Sequence, residues 1–229
     1  MIGYNFIIQN KEFLKVFYGL IVVIISVIIV LKTNRLFKLS LHQGIRYFRN
    51  AFFFYALAFI TRYFFGTNFL KFYLIAPYPL IIKIFFEFFI IMAGFFLLYS
   101  LLWKKLKISG DEYTSSLFNP LVAIFYLFSF LIVFLDVLWW TYYFMFASQV
   151  ILFAFASAIS YNNYTSRKGK FLKFYFIAML LSLVAWIFNA MAALFFQWDP
   201  LLSINVSTIN ILIFLIFLFG VINVTRYRG

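Results

Sequence analysis

The chain has no cysteine, one histidine, four prolines and six acidic residues among its 229. Without cysteine there are no disulfides and no thiolate metal sites. The single histidine, His42, excludes the multi-histidine metal centres of seven-helix hydrolases, and no neighbouring carboxylate orients it as a base for a serine. Aspartate-rich prenyltransferase motifs and phosphatase motifs built from Lys, Arg and His are missing too. The expectation is a protein that binds without catalysing, with no metal or other cofactor. Charge is also scarce, at 11% of residues against 66% hydrophobic and 25% aromatic. A soluble globule of this length could not keep so much apolar surface from water, so lipid must be the solvent.

What the chain does have is seven long apolar runs. A hydrocarbon core roughly 30 Å thick is crossed by about 20 helical residues. The runs fit crossings at Phe13 to Leu31, Tyr47 to Phe65, Leu80 to Trp103, Leu117 to Asp136, Thr141 to Ser160, Phe171 to Trp198 and Ser203 to Val224. None alternates with the period of two that a barrel strand needs, so the fold class is an all-α membrane protein, a seven transmembrane helix bundle. The first run has no small-residue cleavage site after it and reads as a retained helix. No connection is long enough for a soluble domain, and residues 1–229 read as a single seven-helix transmembrane domain. Any signal would have to leave through a partner protein.

Orientation follows from the cations. Lys32, Arg35, Lys38, Arg46 and Arg49 follow the first run; Lys104, Lys105 and Lys107 the third; Arg167, Lys168, Lys170 and Lys173 the fifth; Arg226 and Arg228 the seventh. These are 14 of the 19 basic residues. The positive-inside rule then predicts the N-terminus outside and the C-terminus cytoplasmic, in a multi-pass protein of the plasma (cell) membrane. The net charge of +13 is split among short loops along one membrane face, which suits anionic headgroups and not nucleic acid. Lys32, Arg35, Lys38, Arg46 and Arg49 are the candidate lipid or partner contacts, with Gly44 expected to end a short amphipathic piece between the first two helices.

Ionisable groups inside a membrane are costly, and they are the functional pointers of this sequence. Arg62, Lys83, Glu87 and Asp136 all fall in the outer half of the predicted bundle. Lys83 and Glu87 stand four apart on one helical face, spaced for an ion pair. Gln149, Asn189, Asn205, Thr208 and Asn210 lie at similar depth on the last three helices. Each could simply join helices. Together, these nine residues predict a polar cavity that opens outward and takes a small ligand. Trp139, Trp140 and Trp198 mark the outer boundary as interfacial aromatics.

The overall plan is similar to that of rhodopsins, seven-helix receptors and the membrane sensor modules of prokaryotic signalling proteins. The lysine that carries retinal in microbial rhodopsins has no counterpart, since Ser203 to Val224 contains no Lys. The leading expectation is a receptor-like or sensory membrane binding module that signals through a separate cytoplasmic effector. A small-solute or ion transporter and a structural membrane subunit are the alternatives.

Overall fold

A bilayer offers no water to backbone amides, so continuous apolar runs satisfy them within helices. A computed structural model describes residues 10–66, 78–106, 117, 119–167, 170–195 and 200–226, and among these every regular element is helical. The helices are α1 (Lys11–Ser40), α2 (Gln43–Phe59), α3 (Tyr78–Leu106), α4 (Pro120–Leu138), α5 (Tyr143–Arg167), α6 (Lys170–Leu194) and α7 (Pro200–Arg226). Six are long and apolar enough to cross a membrane. The remaining one, α2, runs straight into a π-helical segment, Ile60–Phe65. Together they reach about 34 Å at the usual helical rise. Lys71, Lys107, Lys168, Trp198 and Arg228 lie outside the described residues, as do the side chains of Lys11, Lys104, Lys105, Arg167, Lys170 and Arg226.

Helices α1, α2, α3, α5, α6 and α7 form a ring of neighbouring contacts, and α4 packs from outside against α3 and α5. Helix α2 is the most enclosed, with Phe48, Phe52, Tyr55 and Phe59 packing on Phe214 and Phe217 of α7. Ala51, Ala58, Ala93, Ala178 and Ala192 are fully buried. Small residues let helix backbones approach where lipid provides no hydrophobic drive to associate. On α4, which packs from outside, large apolar side chains such as Leu127, Phe128, Leu131 and Phe134 are exposed.

The connection between the first two helices departs from the sequence reading. Crossings at Phe13 to Leu31 and Tyr47 to Phe65 leave Lys32 to Arg46 as a polar connection, but α1 continues to Ser40 and only Leu41 and His42 separate it from α2. Leu41 takes the left-handed conformation (φ 51°) and its N–H returns to the Phe37 carbonyl. Polar, flexible cations do not end a helix. They extend its charged heads toward the interface while the backbone remains hydrogen-bonded. Gly44 likewise ends nothing. It lies in the first turn of α2, where a Cβ would sit 2.8 Å from Trp103 Nε1 of α3.

The α1–α2 hairpin gathers the five candidate contact cations at one end of the bundle, here the basic end. Arg49 donates to Asn34 Oδ1 at 2.7 Å and to Asn50 Oδ1 at 3.3 Å, and Arg46 to Gln43 Oε1 at 3.3 Å. Both guanidinium groups lie 5.9 Å from the Phe37 ring. Lys32, Arg35 and Lys38 occupy the last turns of α1. Among the described side chains the only acids are Glu87 and Asp136, both in the opposite half.

Candidate functional site

The half of the bundle away from the basic end holds a cavity of about 70 Å³. That is several times the space a single water needs, and room for one small ion. Six helices contribute, and its polar lining is Arg62, Tyr18, Tyr55, Tyr63, Ser182, Asn189 and Asn210, with Trp186 and phenylalanines among the apolar lining. Arg62 is the one charged side chain among the described lining residues.

Arg62 sits in the π-helical segment. A π-turn widens the helix by one residue per hydrogen-bonded ring and is frequent at functional sites. Here the segment presses so close to α1 that a Cβ on Gly19 would lie 2.5 Å from Tyr63 Cβ. The guanidinium lies 4.5 Å from the Phe86 ring and 5.8 Å from that of Tyr63, so it is held between aromatic faces at the cavity wall. Opposite, Asn210 is within reach of the Tyr18 hydroxyl. Asn189 Nδ2 donates to the Ala185 carbonyl at 2.9 Å, which orients its amide.

Behind the Phe86 wall lies a second polar group. Lys83 Nζ donates to the carbonyls of Asp136 (3.1 Å) and Thr141 (2.7 Å), and so ties α3 to the turn between α4 and α5. Its ammonium also lies 4.5 Å from the Tyr142 ring. The Asp136 carboxylate accepts from Thr141 Oγ1 (3.0 Å), Phe144 N–H (3.1 Å) and Met145 N–H (2.7 Å). One side chain therefore caps the N-terminus of α5 from the end of α4. The same turn closes α4, where Trp140 (φ 52°) donates to Val137 and Thr141 to Asp136 in a Schellman arrangement. Trp139 and Trp140 project outward, as interfacial aromatics do.

Glu87 is one turn deeper and fully buried, with Lys83 Nζ at 3.8 Å. Among the described residues, neither carboxylate oxygen has a hydrogen-bond partner. Lys83, Asp136 and Arg62 are the charges that act on it. Two turns further along the same face, Gly94 leaves room for Gln149 of α5, whose Oε1 would be 2.8 Å from a Cβ there. Both polar atoms of the Gln149 amide are buried without a hydrogen bond among the described residues.

The structure thus divides the nine residues singled out from sequence. Arg62, Asn189 and Asn210 meet at the cavity; Lys83, Glu87 and Asp136 form the cluster behind it; Gln149 is buried between α3 and α5. Asn205 and Thr208 are exposed on α7, outside the cavity lining. The tyrosines of the lining escaped the sequence reading because they sit within apolar, aromatic-rich runs. Their one available signal was helical spacing, with Tyr55, Phe59, Arg62 and Tyr63 sharing a face of the second run. No family model matches the chain, and no curated protein or solved structure matches it either.

Proposed function

We propose that this chain is a receptor-like, sensory membrane binding module whose ligand is a small anion held beside Arg62. The observation that carries this reading is the lining itself: one arginine, three tyrosines, one serine and two side-chain amides, with no carboxylate among the described lining residues. A guanidinium in a low-dielectric site rewards a planar oxyanion with paired, charge-assisted hydrogen bonds. A cavity of this size suits an anion of a few heavy atoms, such as nitrate or acetate. With the protein in lipid nanodiscs, both should bind measurably, and Arg62→Gln should weaken them about ten- to a hundredfold. Equal affinity in the two proteins would remove Arg62 from the site.

The proposal places the N-terminus outside and the C-terminus in the cytoplasm of the plasma membrane, so the ligand arrives from outside. The cation distribution supports this orientation. Reporter tags after Ser109 and Arg167 should then be cytoplasmic, and tags near Thr67 and Asp199 external; the reverse accessibility would invert the scheme. At the basic end, Arg46 and Arg49 suit anionic headgroups or the acidic surface of a separate effector. A transporter is the second reading, favoured by the Glu87 carboxylate and the Gln149 amide, both buried inside the bundle without a hydrogen bond among the described residues. Liposomes separate the two, because only a transporter carries nitrate to the lumen.

A further inference from the structure

We infer that binding of an anion at Arg62 is coupled to the uptake of one proton by the Glu87 carboxylate. The inference rests on the anion reading of the cavity and adds the second ligand. Its basis is how differently the four charges of the outer cluster are held. Asp136 accepts three hydrogen bonds, Lys83 donates to two carbonyls, and Arg62 stacks on Phe86. Glu87 alone has no hydrogen bond to lose, because both of its oxygens are buried without a donor and its cation stands off at 3.8 Å.

With all four groups ionised, the two cations and two anions cancel. A monovalent anion arriving on Arg62 leaves the cluster one negative charge in excess, in surroundings that screen charge poorly. A proton from solution restores the balance, and the position it takes should disturb the least structure. On Asp136 it would displace a backbone N–H that caps α5. On Glu87 it displaces nothing. Among the described residues, the ionisable groups that the elements packed on α3 bring to bear on Glu87 are Arg62 from the π segment, Asp136 from α4 and Tyr142 from the α4–α5 turn, while α5 presents the uncharged Gln149. Lys83 is the remaining group, on the helix of Glu87 itself. Protonation makes or breaks no other covalent bond, so the step balances as one anion and one proton bound together.

Linkage makes the coupling reciprocal: if the anion brings a proton in, lower pH must tighten the anion. Nitrate is a suitable probe because it does not titrate in the relevant range. In nanodiscs, wild-type affinity for nitrate should rise about tenfold for each unit fall in pH while Glu87 changes charge on binding. Glu87→Gln, with its charge fixed at zero, should bind nitrate with an affinity that ignores pH, and Glu87→Asp should recover the slope. A weakly buffered titration of the wild type should record one proton taken up per nitrate, which serves even if the variants fold poorly. Nitrate binding without pH dependence or proton uptake would overturn the coupling and leave the cavity reading standing. A slope that persists in Glu87→Gln would overturn the assignment to Glu87. Absence of nitrate binding by the wild type would overturn the cavity reading and the coupling together.

Discussion

Asp136→Ala should destabilise the bundle by about 3 kcal/mol or more and lower its thermal midpoint in detergent by about 10 °C. The reason is the number of groups that one carboxylate satisfies. Its oxygens accept from Thr141 Oγ1 and from the backbone N–H groups of Phe144 and Met145. Alanine leaves two amides at the head of α5 without their acceptor, inside or at the edge of a medium that supplies little water. It also removes the negative charge from the positive end of the α5 dipole. Asp136→Asn retains one acceptor oxygen and should recover part of the loss. A midpoint unchanged in Asp136→Ala would mean that the α4–α5 turn is held by something other than this cap.

The second large effect concerns Lys83. Lys83→Met keeps the length of the side chain but removes both donors to the α4–α5 turn and the cation nearest Glu87. A buried carboxylate without its cation is the costlier half of a broken pair, and a loss of about 3 kcal/mol is expected. Adding Glu87→Gln to Lys83→Met should return a measurable part of it, because the stranded charge leaves with its partner. The cycle of single and double variants should show a coupling of about 1 kcal/mol or more. If the losses simply add, Lys83 acts through the turn carbonyls alone, and Glu87 does not sense it.

Much of this architecture was legible because hydropathy along a chain reports depth in a membrane. The apolar runs located all seven helices, and the ionisable residues within them located the half of the bundle that carries the polar clusters. Depth, however, says nothing of which way a side chain faces. On α7, Thr208 and Asn210 lie at nearly the same depth but about 200° apart around the helix axis. Only Asn210 shares the inward face with Val206, Ile213, Phe214 and Phe217, which are buried. That i, i+3, i+4, i+7 pattern was weak in a run where both faces are apolar, one for the protein and one for lipid.

Two further features had no sequence signal of their own. The two-residue turn at Leu41 and His42 was hidden by the charges of Lys32 to Lys38, which resemble a loop by composition yet continue a helix. The π-helical segment that carries Arg62 brings Tyr63 close over Gly19 of another helix, a tertiary contact that no local pattern encodes. The two roles of Asp136 were equally hidden. Its place at a helix end was readable, whereas its capping of the next helix required the turn geometry.

The most direct test of the central claim, that the cavity beside Arg62 is an anion site, is to locate an anion crystallographically. Crystals of the lipid-embedded protein grown in bromide, recorded at the bromine absorption edge, would show where the halide rests. The account predicts an anomalous peak inside the cavity, within contact of the Arg62 guanidinium and of the Asn210 or Tyr63 side chain, and no such peak in Arg62→Gln. Bromide found only at the basic end, around Arg46 and Arg49, with the cavity free of it, would contradict the account.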